Sequence, residues 1–193
     1  MTLSVSSAPS AEPVSTAEAK THLRVTGTDD DTYIDTLVKA ARLSIEVQTG
    51  RALITQTLKV TLDRFPRERY LELPRPPLAS VSSVAYVDPN GVNQTFAAAS
   101  YTVDTLSQPG RIVLNETYNW PDTSLVANAV TITFIAGYGA AGTAVPADLL
   151  LAMKLLIGHW YSNREVASGA AASAELPKMF DYLLWPYKVV WIK

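Results

Sequence analysis

The sequence predicts an α+β fold, with a helical core of two N-terminal and two C-terminal helices, an inserted small antiparallel β lobe and an extended C-terminal tail. Three observations carry this reading. Apolar residues recur at three- and four-residue spacing across residues 15–50 and again across 145–165, the period of an amphipathic helix. From Ala52 the pattern changes to alternation, which persists to Ala136. Within that alternating region Asn90-Gly91 and Pro109-Gly110 supply the turn chemistry of hairpins. The expected divisions are a flexible arm (1–14), the first two core helices (15–50), the β lobe (51–137), the last two core helices (138–186) and the tail (187–193).

The elements follow in order. Residues 1–14 are rich in Ser, Ala and Pro, which reads as a short mobile arm. They lack the basic start and apolar run of a secretory signal. Ser15-Thr16-Ala17-Glu18 has the capping-box pattern, so a short helix is expected to about Leu23, with Ala19 and Leu23 inward. Asp29-Asp30-Asp31 lacks the alternation and closing Glu of a calcium loop and reads instead as an N-cap with first-turn acids. The helix that follows carries Ile34, Leu37, Val38, Ala41, Ile45 and a final apolar Val47, and stops at Gly50.

Residues 54–62 read as a strand with one wet face, and Tyr70 to Leu73 as a short strand closed by Pro74, Pro76 and Pro77. Residues 81–87 and 92–96 flank Asp88-Pro89-Asn90-Gly91, the clearest hairpin. Residues 101–104 and 111–114 flank Gln108-Pro109-Gly110, and Val130 to Ala136 form the last strand. Pro146 suits a first helical position, and Leu149, Leu150, Met153, Leu156, Ile157, Trp160 and Tyr161 make one broad apolar face, expected to pack on the helix of residues 32–49. Residues 167–174 are small and low in complexity, a loop. A last helix is expected from Lys178 to Leu184 or Trp185, ended by Pro186, before the apolar tail.

Composition narrows the chemistry. A net charge of −2 over 193 residues gives no basis for bulk electrostatic attachment to nucleic acid or an anionic membrane. The most apolar window, 149–157, is too short to span a bilayer and carries Lys154, so the expected chain is soluble and intracellular, with no membrane partner. With no cysteine, disulfides and thiolate chemistry are excluded. Gly137-Tyr138-Gly139-Ala140-Ala141-Gly142 spells a dinucleotide fingerprint, but that site needs its helix to begin within the motif. Pro146 starts the helix later, and no acid-ended strand follows at about twenty residues. The glycines therefore read as a flexible strand-to-helix connection. His22 and His159 have no helical partner that would make a metal pair, and no G-x-S-x-G elbow exists. The expectation is of no enzyme, no cofactor and no metal. Arg64, Arg67, Arg69 and Arg75, interleaved with Glu68 and Glu72, form a solvated loop or a docking surface.

Taken in order, several segments resemble one family: STAEAKTHLRV, TGRALITQT, ELPRPPLASVSSVAYVDPNG, QPGRIVL, FIAGYG, VPADLLLAMKLLIGHWYSNRE and LPKMFDYLLWPYKV. Their succession is similar to that of the head–tail connector proteins of long-tailed bacteriophages, also called adaptor or head-completion proteins, and of phage-like gene transfer particles. The resemblance covers residues 14–189. It implies packed helices carrying a β lobe, and a dodecameric ring under the portal that extends the DNA channel. The ring would carry the next neck or tail protein, a stopper or tail terminator, and pass DNA without reading its sequence. It implies no catalytic residues. The rival reading is a β-lobe module that binds another virion protein or a carbohydrate, and the remoter one a nucleotide-binding enzyme.

Under this reading the chemistry assigns expected surfaces. Trp185, Tyr187, Val189, Val190, Trp191 and Ile192 are portal candidates, because an apolar, aromatic terminus is built to bind. His159, Tyr161, Asn163 and Arg164, with Arg67, Arg69 and Arg75, are subunit-interface candidates. Asp29, Asp30, Asp31 and Asp35, together with Glu46, are candidates for the channel wall, where acids let phosphates slide.

Overall fold

The computed structural model describes residues 1–164 and 178–189. The chain forms two compact units, one of Met1–Ser10 with Thr55–Tyr138, the other of Ala11–Ile54 with Gly139–Lys193.

The first unit is all antiparallel β. Its strands are β1 (Thr2–Ser7), β2 (Gln56–Leu62), β3 (Tyr70–Glu72), β4 (Leu78–Val87), β5 (Asn93–Thr95), β6 (Tyr101–Asp104), β7 (Arg111–Leu114) and β8 (Val130–Ala136). They make a five-stranded sheet in the order β1-β2-β8-β4-β5 and a three-stranded sheet in the order β3-β7-β6. Alternation fixes which face is dry. In β8 every second residue is buried, and its Ile132 and Phe134 stand opposite Val60 and Leu58 of β2, all four inside. Each such side chain stabilises by roughly 1.5–3 kcal/mol on burial. A second apolar centre is aromatic: Phe65 stacks on Trp120 at 4.9 Å and meets Tyr86 and Phe96 edge-on or tilted. The Trp120 indole N–H donates to the Glu68 carbonyl at 2.8 Å, so two loops are held by one side chain.

The mobile arm expected over residues 1–14 is instead ordered at both ends. Thr2–Ser7 pairs antiparallel with β2, Leu3 opposite Val60 and Val5 opposite Leu58, and Pro13 and Val14 are buried. Serine-rich composition resembles disorder, but this stretch holds Thr, Leu and Val and no charge, and a ready sheet edge orders it.

The second unit is helical: α1 (Thr16–Leu23), α2 (Asp31–Thr49), α3 (Ala147–Ser162) and α4 (Lys178–Leu184), the last running into a 3-10 turn at Trp185–Tyr187. Ser15 caps α1 by the capping box, its hydroxyl accepting from the Glu18 N–H while Glu18 accepts from the Ser15 N–H at 2.8 Å. Gly50 ends α2 at φ +71, a left-handed conformation suited to glycine. Ile34, Val38, Ala41 and Ile45 of α2, Leu149, Ala152, Met153, Leu156 and Ile157 of α3, and Phe180 and Leu184 of α4 are buried. α3 packs on α2, α4 and α1. Leu150 and Trp160 are only half-buried, so the apolar face of α3 is narrower than its sequence suggests. Val47 is exposed rather than inward: it lies opposite Ile45 around the helix. Residues 165–177, which include the expected 167–174 loop, and residues 190–193 lie outside the described residues. Among the described residues no helix is long and apolar enough to cross a membrane.

Candidate assembly surfaces

The glycine motif is packed tightly. Gly137 adopts φ +135 and donates its N–H to the Pro77 carbonyl. A Cβ on Gly139 would stand 2.6 Å from the Ala144 Cβ, and one on Gly142 would stand 2.0 Å from the Pro13 carbonyl oxygen. The N–H groups of Ala144 and Val145 close a 3-10 turn on Ala141 and Gly142, and α3 begins only at Ala147. These donors are spent within the fold, and the glycines serve close packing rather than flexibility. His22 lies against α3 where Gly158 leaves room, its Nε2 3.4 Å from a Cβ built there. Among the described residues no three His, Asp or Glu side chains gather as a metal site.

The C-terminal end of α3 carries four of the subunit-interface candidates. Asn163 caps the helix, its side-chain N–H₂ donating to the His159 carbonyl at 2.7 Å. Arg164 donates to both Asp30 carboxylate oxygens, at 3.1 and 2.8 Å, and its guanidinium lies 4.2 Å from the Tyr161 ring centroid and 4.7 Å from that of Tyr33. The Tyr161 hydroxyl donates to the same carboxylate. The Arg164 and Tyr161 hydrogen bonds hold the Asp30 carboxyl below its usual range, and that carboxylate raises the Tyr161 hydroxyl. Asp30 is thus the N-cap of α2 by position, while its side chain is committed to the end of α3. No local pattern points to this contact, because the partners are 134 positions apart. Arg164→Ala is expected to return the Asp30 titration toward 3.8, read by carboxyl NMR.

The other candidates separate by environment. Arg67 and Arg69 are exposed, Arg69 donating to the Asn115 carbonyl at 2.6 Å; Arg75 is half-buried at φ +64. Among the acids, Asp31 pairs with Lys20 at 2.5 Å, Asp35 accepts from Thr16, and Asp29 is exposed. Glu46 is corrected: only 5% exposed, it accepts from Arg42 at 3.2 Å and from the Leu53 N–H at 2.9 Å, so it cannot line a channel. Its position on the inner arc of α2, four residues after Arg42, is the signal that was available.

The portal candidates also divide. Tyr187 accepts from Arg51 through its carbonyl at 2.6 Å and donates its hydroxyl to Asp148 at 3.2 Å. Val189 donates its N–H to the Thr49 carbonyl at 2.8 Å. Trp185 is 74% exposed and shares a face with Met179 and Tyr182, also exposed, spaced three apart. Val190, Trp191 and Ile192 lie outside the described residues.

In the β unit, Leu106, Leu125 and Val126 stand exposed on loop tips. The Leu106 turn is preorganised by Asp104, which accepts from the Ser107 hydroxyl at 2.6 Å, from the N–H groups of Ser107 and Leu106, and from Arg111 at 2.9 Å. The Ser107 hydroxyl first, then its N–H and Arg111, bring the Asp104 carboxyl from 3.8 down to about 2. A depressed carboxyl stabilises above its ordinary value and loses that contribution as pH falls through its folded value. The turn is therefore expected to loosen between pH 3.8 and about 2, with exchange of the Leu106 and Ser107 amides as the readout.

A family model described as head completion protein matches residues 13–175. Among solved structures, the chain is similar to a protein in the neck of an empty GTA particle computed with C6 symmetry, with a TM-score of 0.84 and 28% identity over 100% of this chain and 98% of that chain. At the same identity and coverage it is similar to a chain in the virion of a native gene transfer agent particle, TM-score 0.81, and to one in the neck of a native GTA particle computed with C12 symmetry, TM-score 0.80. No curated protein matches the chain.

Proposed function

The chain belongs to the head completion protein family, and from that premise we propose that it closes into a ring beneath the portal, extends the DNA channel and carries the next neck protein. It is a structural virion protein of the neck, a head–tail adaptor. The observation that carries the ring is the full-length similarity, at 28% identity, to a chain in a neck computed with C12 symmetry. Cyclic closure requires two unlike faces on each copy, and a helical and a β unit are chemically unlike. A net charge of −2 suits a conduit, since a strongly basic wall would hold phosphates. The exposed Leu106, Leu125 and Val126 support the β unit as the platform for a stopper or tail terminator.

Electron microscopy of the purified protein, alone and added to portal-bearing capsids, tests this. Rings under the portal are expected, and no ring in either sample overturns the reading.

The portal contact is assigned to the end of the tail. Cutting after Val189 keeps the hydrogen bonds of Tyr187 and Val189 and removes only residues 190–193. The truncated protein is expected to keep its Tm and to lose co-sedimentation with portal. Co-sedimentation at the full-length level removes the tail from that contact.

A further inference from the structure

The helical unit presents two apolar faces that its own core does not use. The outward side of a helix is ordinarily charged. The exposed side of α2 carries Asp35 and Lys39, but the positions directly opposite the buried Ile34, Val38, Ala41 and Ile45 are Thr36, Ala40, Leu43 and Val47, with Leu43 53% and Val47 70% exposed. On α4 the buried Phe180 and Leu184, four apart, anchor the helix and turn Met179, Tyr182 and Trp185 away, at 48%, 76% and 74% exposure. Lys188 lies against the Trp185 ring, its Nζ 5.8 Å from the centroid.

We propose that these are the two halves of one contact between neighbouring copies in the ring: the Met179, Tyr182 and Trp185 face of one copy seats on the Leu43 and Val47 face of the next. The inference rests on the ring reading above. A heterologous contact needs a donor and a receiver that differ, both repeated on every copy. Here the donor is aromatic and the receiver aliphatic, and the exposed charges at their margins, Asp181 beside the donor and Lys39 beside the receiver, are opposite in sign. Tyr and Trp are the side chains that anchor interfaces, and small residues beside Leu43 and Val47 leave them room. Trp185, placed with the portal candidates by its position in sequence, belongs by geometry with Met179 and Tyr182.

The absence of native cysteine makes the test clean. Single variants Leu43→Cys or Val47→Cys are mixed with Tyr182→Cys or Trp185→Cys on portal-bearing capsids and oxidised with copper phenanthroline. A disulfide between two different variants arises only between copies. At least one of the four mixtures is expected to give a covalent dimer more than tenfold above either variant alone. Rings visible in these samples with no mixed dimer in any pairing overturn this contact and leave the ring reading standing. Absence of rings from the wild-type protein overturns both. As a second measurement, Val47→Asp places a charge at an exposed position, so the isolated protein should keep its Tm while ring formation falls at least tenfold. Undiminished rings from Val47→Asp overturn the contact.

Discussion

Arg42→Ala is expected to destabilise the protein by about 3–5 kcal/mol, the cost of breaking a buried ion pair from one side. Arg42 is 7% exposed and lies between two carboxylates. Its Nε–H donates to Glu12 at 2.7 Å and an Nη1–H to Glu46 at 3.2 Å. Glu46 also accepts the Leu53 N–H. The network therefore fastens the segment before α1 and the segment after α2 to the inner side of α2. Alanine removes the counter-charge and leaves Glu46 in low dielectric, where an uncompensated carboxylate is costly. Against a total stability of about 5–15 kcal/mol, that is a fifth or more of the whole, and near the lower end of that range it unfolds a large fraction of the protein. Glu12→Gln is expected to cost less, because the Glu12 side chain is 22% exposed and water replaces part of what is lost. The double variant Arg42→Met, Glu46→Met should recover part of the loss, since a buried pair is often no better than apolar residues of its size. It should not recover all of it: the Leu53 N–H loses its acceptor, worth about 1–3 kcal/mol when buried. Urea denaturation of the four proteins checks the order. Equal stability of Arg42→Ala and wild type would remove the network from the account of the helical unit.

How far the sequence revealed the fold depends on the range of each interaction. The Ser15–Glu18 capping box and the Asp88 to Gly91 turn are local, settled within four residues by hydrogen-bond chemistry and a φ of +81 at Gly91, and both were legible. The alternation in β8 revealed its dry face for the same reason. β1 was not legible, because what orders Thr2–Ser7 is the edge of β2, at least fifty positions on. Arg42 was half-legible: a cation four residues before an acid on an otherwise apolar arc is itself a signal of a buried pair. Periodicity, which tallies only apolar positions, passes over it. The candidate surfaces follow the same division. Exposed aromatics near the C-terminus marked a surface. That Trp185 faces outward with Tyr182 while Tyr187 turns to Arg51 and Asp148 depends on α4 breaking into a 3-10 turn at Pro186.

Gly142→Ala is expected to cost about 3 kcal/mol, the upper part of the range for forcing atoms into a packed site. The added Cβ would stand 2.0 Å from the Pro13 carbonyl oxygen and 2.8 Å from its carbonyl carbon. Both are backbone, so no side chain can rotate away. The cost must be met by moving Pro13, which is buried beside Val14, or by displacing the 3-10 turn that precedes α3. The same change at Gly27 is the control. Nothing lies within 4 Å of a Cβ there, so Gly27→Ala should be neutral or stabilising by about 0.4–1 kcal/mol through the unfolded chain. The comparison decides what the third glycine of a G-x-G-x-x-G sequence is for. A phosphate cradle needs glycine so that a ligand can approach free N–H groups, and its replacement by alanine would change ligand binding more than stability. A packing glycine gives the reverse, a large loss of stability and no ligand effect. Melting curves of Gly142→Ala and Gly27→Ala, taken with and without NAD or ATP, separate the two. The expected result is a Tm about 5 °C or more below wild type for Gly142→Ala, no such fall for Gly27→Ala, and no response of either to nucleotide. Wild-type stability in Gly142→Ala would mean that the Pro13 backbone yields freely, and the connection before α3 would then be a hinge after all.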